Sequence, residues 1–99
     1  MGTMVITSSK LQKTYEYKNE SVVVNGSIQQ DAATGELQSI NGSCYKPGVD
    51  GGVGDYIGNF NGYERNGEIL YSLSEMSRRN MMIVYDAIDE IEQYIKENE

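Results

Sequence analysis

Residues 81–97 read MMIVYDAIDEIEQYIKE, and this stretch decides the fold. Met81, Val84, Ile88, Ile91 and Ile95 recur at three- and four-residue spacing, which gathers them into one stripe of a 3.6-period helix. Asp86, Asp89, Glu90, Gln93 and Glu97 fall on the opposite side. The pattern predicts an amphipathic helix over 75–97 with an acidic outer face. Upstream, Ser72-Leu73-Ser74-Glu75 has the spacing of a capping box, with Ser72 as cap and Glu75 reaching back. That start puts Arg78 and Arg79 in the second turn, where positive charge gains nothing from the helix dipole, and Glu97 and Glu99 are misplaced at the other end. Either these ends fray into solvent or the charges serve a partner.

Working outward, Asn66-Gly67 lies between two alternating runs and signals a type I′ hairpin, whose central residues both need positive φ. Pairing from that turn sets Arg65 against Glu68 as an ion pair, Tyr63 against Leu70, Gly62 against Tyr71 and Phe60 against Leu73, with strands over 55–65 and 68–74. A second hairpin is expected around Asp31-Ala32-Ala33-Thr34-Gly35. Pairing Gln30 with Glu36 places Val22, Val24, Ile28, Ile40 and Cys44 on one face. Asn25, Ser27, Gln29, Ser39, Asn41 and Ser43 then line the other, which reads as a water-facing side. Leu11 to Tyr17 supplies a further strand, Val5 to Thr7 its start, and the turn falls near Lys18-Asn19-Glu20.

These elements give an α+β fold: an antiparallel meander of about five strands with one long C-terminal helix packed on one face. Asn-Gly recurs at Asn25, Asn41 and Asn61 inside strand-like runs, where it predicts bulges or sharp bends that curl the sheet around the helix. Residues 46–54, opened by the sole proline, Pro47, and rich in glycine, read as a flexible connection between the hairpins.

A chain of 99 residues has room for one core, so 1–99 is read as a single domain. Met1 to Thr3 reads as an added stretch before a natural start at Met4. Eight basic against fifteen acidic residues give a formal charge of -7. That balance repels polyphosphate and anionic lipid, so neither nucleic acid nor a membrane is an expected partner. The lone Cys44 cannot form an internal disulfide, and Met4-Val5-Ile6 is too short for a signal-peptide core, so a cytoplasmic location is expected. Gly2 lacks the Ser or Thr that acylation wants where Ile6 stands.

Catalysis finds little to work with. There is no histidine, which removes hydrolytic triads and histidine-bearing zinc sites. Cys44 falls on the core face and reads as an inert thiol. The carboxylate pairs of the helix read as a solvated face. Asp50 and Asp55 lack the alternating oxygen ligands of a calcium loop. Gly48 to Gly54 has no Lys followed by Ser or Thr, and Asp50 would repel phosphate. No catalytic residue, cofactor or metal is expected, and the Asn-x-Ser triplets read as chance matches.

The expected function is therefore non-catalytic protein binding, as an adaptor or as an inhibitor presenting negative charge. In the second hairpin Phe60, Ile69, Tyr71 and Leu73 share one face, and Ile57, Tyr63, Leu70 and Met76 are expected on the other. One helix covers one face, so the second set is the expected interface, completed by Met82, Asp86, Asp89, Glu90 and Glu97 of the helix. The partner is another protein with a basic surface, or a second copy through the hairpin or an edge strand. The alternative is a ligand-binding protein or weak enzyme with its site at the glycine-rich loop, using Asp50, Asp55 and Tyr56.

Overall fold

A computed structural model describes residues 2–6, 12–31 and 33–97 of the chain. Six antiparallel strands follow one another as neighbours: β1 (Thr3–Ile6), β2 (Gln12–Lys18), β3 (Val23–Gln30), β4 (Leu37–Pro47), β5 (Val53–Arg65) and β6 (Glu68–Ser74), followed by helix α1 (Arg78–Glu97). The α+β meander with one C-terminal helix is as expected, with one strand more. Thr3–Ile6 folds back on Lys18–Tyr15 as a strand of its own rather than extending the next one. Leu11 and Thr7, which bounded the expected first strand, lie outside the described residues, as do Met1, Ala32 and Glu99.

The turns follow from local chemistry. Asn66 and Gly67 take φ values of 56° and 85°, the type I′ geometry, and the whole register from Arg65↔Glu68 to Asn59↔Ser74 follows. Asn19 closes the β2–β3 turn as an Asx turn, its Oδ1 accepting from the N–H groups of Ser21 (2.7 Å) and Val22 (2.9 Å). In the β3–β4 hairpin Gly35, at φ 76°, donates its N–H to the Asp31 carbonyl at 2.9 Å. Ile28 pairs with Ile40 and Val24 with Cys44, and a shift after Gln29 sets Gln30 against Leu37 rather than Glu36. In the regular part the register lies two residues from the expected one, and a slip of two leaves every side chain on its own face.

The helix begins three residues later than the expected start at 75, and its cap lies five residues beyond Ser72. Ser72 and Ser74 stay in β6, opposite Asn61 and Asn59, because the alternation of Ile69, Tyr71 and Leu73 is satisfied by pairing with β5. Glu75 then takes the left-handed region at φ 59°, and Ser77 becomes the cap. Its Oγ accepts the Asn80 N–H at 3.2 Å and its carbonyl accepts the Met81 N–H at 2.9 Å. Arg78 and Arg79 thus open the first turn, the least favourable place for positive charge.

One core forms where α1 lies against the sheet. Val84, Ala87, Ile88, Ile91 and Ile95 pack on Tyr15, Tyr17, Val22, Val24, Ile28, Ile40, Cys44 and Phe60. Gly2 donates its N–H to Glu90 Oε1 at 3.2 Å, and Tyr71 donates its hydroxyl to Glu92 Oε2 at 2.8 Å. Residues 90 and 92 stand about 200° apart around a helix. One flank of α1 therefore meets the β1 side and the other meets β6, so the sheet curls around it.

The Asn-Gly steps inside strands do that curling without bulges, since the register runs unbroken through Gly26↔Gly42 and Asn41↔Asn61. At Gly26 the neighbouring backbone comes closest. A Cβ there would overlap the Asn41 carbonyl oxygen, which accepts the buried Tyr15 hydroxyl at 2.8 Å. Ser27 N–H reaches the Asn41 Oδ1 at 3.2 Å, and Asn41 Nδ2 returns a bond to Ser27 Oγ at 2.9 Å. Gly42 and Gly62 leave room for the rings of Phe60 and Tyr71, which meet edge to face at 6.1 Å.

Candidate interaction surface

The face of the sheet turned away from α1 is built by the period of two. Across β3 to β6 it presents Asn25, Ser27 and Gln29, then Ser39, Asn41 and Ser43, then Asn59, Asn61 and Tyr63, and finally Leu70, Ser72 and Ser74. None of these is charged, in a chain where 23% of residues are. Charge returns only at the rim with Arg65 and Glu68, and on β2, where Glu16 and Lys18 form an exposed ion pair at 3.6 Å. Arg65 and Glu68 stand opposite in register without closing the expected ion pair, and among the described residues Glu16–Lys18 is the one ion pair formed.

Two apolar groups flank this polar strip. Tyr63 and Leu70, cross-strand neighbours, are 51% and 37% exposed, as expected of residues the helix does not cover. At the other end Tyr45 sits opposite Val23 and Tyr56, and the two rings meet edge to face at 5.6 Å. That cluster buries Val23 on the open side and fixes Tyr56, whose hydroxyl accepts from Asn59 Nδ2 at 2.6 Å. It was missed because Val23, between Val22 and Val24, reads as part of one apolar run.

Ile57 and Met76 are corrected. A register shift after Cys44 pairs Gly58 with Cys44 but Tyr56 with Tyr45, so Ile57 is the extra residue of a bulge. Gly58, at φ 135°, permits it, and Ile57 turns into the core at 8% exposure. Met76 folds over the same glycine and packs against the core cluster. Neither joins Tyr63 and Leu70.

On α1 the outer positions Met82, Asp86, Asp89, Glu90 and Glu97 are all exposed, Met82 at 68%. Glu90 is held by Gly2, and Glu97 accepts from Gln93 Nε2 at 3.4 Å, so the acidic face is partly engaged by its own chain. Tyr85 and Tyr94 are also exposed there. They went unremarked because a tyrosine ring suits a core edge as well as solvent. Where the C-terminal half of α1 meets the hairpin ends of β4 and β6, a groove of about 630 Å³ has Leu37, Ile69 and Ile95 among its walls and Glu36, Glu64, Glu68 and Glu92 around them.

The glycine-rich segment is tighter than a flexible connection. β4 runs to Pro47 and β5 begins at Val53, leaving a turn closed by Gly48 N–H to the Gly52 carbonyl at 2.9 Å. Asp50 Oδ1 is turned back on the Gly52 N–H at 3.3 Å, Asp55 is exposed, and Tyr56 packs on Tyr45. Cys44 is fully buried, and burial pushes its thiol up to about 12, the setting of an unreactive sulfur. Among the described residues no group of three or more Cys, Asp or Glu side chains is arranged to hold a metal ion, and no helix is long and apolar enough to cross a membrane. Compared with known proteins, the chain matches no protein-family profile, no curated protein and no solved structure.

Proposed function

We propose that this chain is a non-catalytic protein-interaction module that docks through the open face of its sheet, anchored at one end by Tyr63 and Leu70. The observation that supports this reading is the absence of charge across four strands of an otherwise strongly charged surface. Covering such a face strips water from amides, hydroxyls and apolar groups and leaves no ion desolvated, the condition that the centres of protein interfaces meet. Asparagine and serine supply donors and acceptors in rows, and the exposed Tyr63 supplies the rigid aromatic anchor on which binding energy concentrates. The acidic outer face of α1, with Met82, Asp86 and Asp89, is a second contact suited to a basic partner surface.

A comparative capture experiment tests this. The chain and its Tyr63→Ser/Leu70→Ser double variant are immobilised and the retained proteins quantified. Each truncated anchor is expected to cost about 1–2 kcal/mol of binding, so retention of a specific partner should fall at least tenfold. The variant should keep its melting temperature within a few degrees, since both side chains are exposed. Equal retention by the two forms contradicts the proposal.

A further inference from the structure

We infer that the outer edge of β6 pairs antiparallel with the same edge of a second copy, about a two-fold axis at Tyr71, and joins two sheets into one. This rests on the reading of the β5–β6 hairpin as a docking surface and names one partner for it.

β6 is the last strand of the sheet, and among the described residues no segment pairs with its outer side. The two-residue turn fixes which backbone groups face outward. Arg65 and Glu68 flank the turn and exchange both hydrogen bonds, so Leu70, Ser72 and Ser74 continue that set toward β5. Ile69, Tyr71 and Leu73 therefore turn their N–H and C=O groups outward. An antiparallel partner centred on Tyr71 sets Tyr71 against Tyr71 and Ile69 against Leu73, so that each outward N–H meets an outward C=O. The edge has few of the usual guards against such pairing: no proline, no lysine and no bulge across Glu68–Ser74, with its one charge, Glu68, at the hairpin end.

Side chains and charge agree with the register. The half-buried Ile69, Tyr71 and Leu73 extend one core face into the other, and Leu70 meets Ser72 on the open face, so the uncharged strip becomes continuous across both copies. The hairpin end of β6 carries Glu64 and Glu68 against Arg65, an excess of one negative charge. The other end leads through Ser74 and Glu75 into Arg78 and Arg79, an excess of one positive charge, and these arginines form no ion pair among the described residues and oppose the helix dipole. Antiparallel pairing brings the net negative end of each copy alongside the net positive end of the other. This gives the misplaced arginines a partner that the single chain does not provide.

The test uses the full chain and two charge variants, Arg78→Glu/Arg79→Glu and Glu68→Lys. Light scattering from about 10 µM to about 1 mM should show the mass rising from 11.1 kDa toward twice that value. Amide exchange should show protection growing with concentration at Ile69, Tyr71 and Leu73. Each variant alone should dimerise at least about tenfold more weakly, and an equal mixture of the two should recover the lost affinity, because opposite charges then meet at both ends. A fold defect in either variant would show as lost helical circular dichroism and would not be cured by mixing. Monomer mass throughout, or a dimer protected elsewhere than the β6 amides, overturns the inference. Either result leaves open-face docking to stand or fall on the capture experiment.

Discussion

Gly26→Ala is expected to be the most damaging small substitution in this protein, costing about 3 kcal/mol or more and lowering the melting temperature by roughly 12–24 °C. The added methyl would occupy the position of the Asn41 carbonyl oxygen, and that oxygen already accepts the Tyr15 hydroxyl beneath the bend. Overpacking is tolerable where the obstacle is the end of a flexible side chain. Here it is backbone, tied on both sides by the ladder between β3 and β4 and by the Asn41–Ser27 side-chain bonds. Relief would require opening the sheet at the point where it curls around α1. Gly42→Ala makes the useful comparison, since its methyl would meet the Phe60 ring at 2.5 Å and a ring can shift. Thermal unfolding followed by circular dichroism should therefore rank Gly26→Ala below Gly42→Ala, and both below the parent chain. A Gly26→Ala protein that melts within a few degrees of the parent would show that the bend is not where the curvature is held.

The second large effect is alkaline. Tyr15 is buried at 4% exposure, and burial, with a smaller contribution from Cys44, raises its pKa well above the ordinary value of about 10. Cys44 is raised to about 12 by burial, from about 8.5 in an unfolded chain. Tyr17 moves the same way through burial, and Tyr71 through burial and its bond to Glu92. In each case the folded chain holds a proton that the unfolded chain releases, so stability is fully present below the unfolded value and falls as pH rises toward the folded one. Tyr15 and Cys44 together remove up to about 3 kcal/mol per pH unit once both are ionised in the unfolded state, above about pH 10. A domain of this size holds about 5–15 kcal/mol, so cooperative unfolding is expected between about pH 10 and 12. Denaturant titrations at fixed pH measure this directly. Tyr15→Phe should be less stable at neutral pH, because the Asn41 carbonyl loses its donor, at a cost of about 1–3 kcal/mol. Its decline with alkali should also be shallower. A stability that stays flat to about pH 11 would mean that these hydroxyl and thiol groups are not buried as described.

The parts of the fold that were legible in the sequence are those in which local rules and tertiary packing agree. Asn66-Gly67 fixed a complete register because a two-residue loop leaves no freedom in pairing. The stripe from Val84 to Ile95 named the buried face of α1 because no other period fits it. The β3–β4 hairpin shows the limit of such readings: loop chemistry located the turn but not its length, and only the two-residue period kept the faces right. Ile57 was out of reach, since its bulge depends on Gly58 taking φ 135° against Met76, a contact made after the chain has folded. Ser72 misled because a cap and a strand residue look alike until β5 is there to pair with it. On the candidate surface, Tyr63 and Leu70 were legible from alternation. The meaning of the asparagine and serine rows was not. Polar residues opposite a core read as solvent-facing, and only their alignment across β3 to β6 reveals one continuous uncharged face.

The central claim is that α1 covers one side of the sheet and leaves the other open. Nitration of the eight tyrosines in the native protein, mapped by mass spectrometry, addresses it most directly. Tyr63 and Tyr56 should be modified readily, while Tyr15 and Tyr17, at 4% and 2% exposure beneath the helix, should resist until the protein is unfolded. Early modification of Tyr15 or Tyr17, with Tyr63 protected in the monomer, would contradict the account.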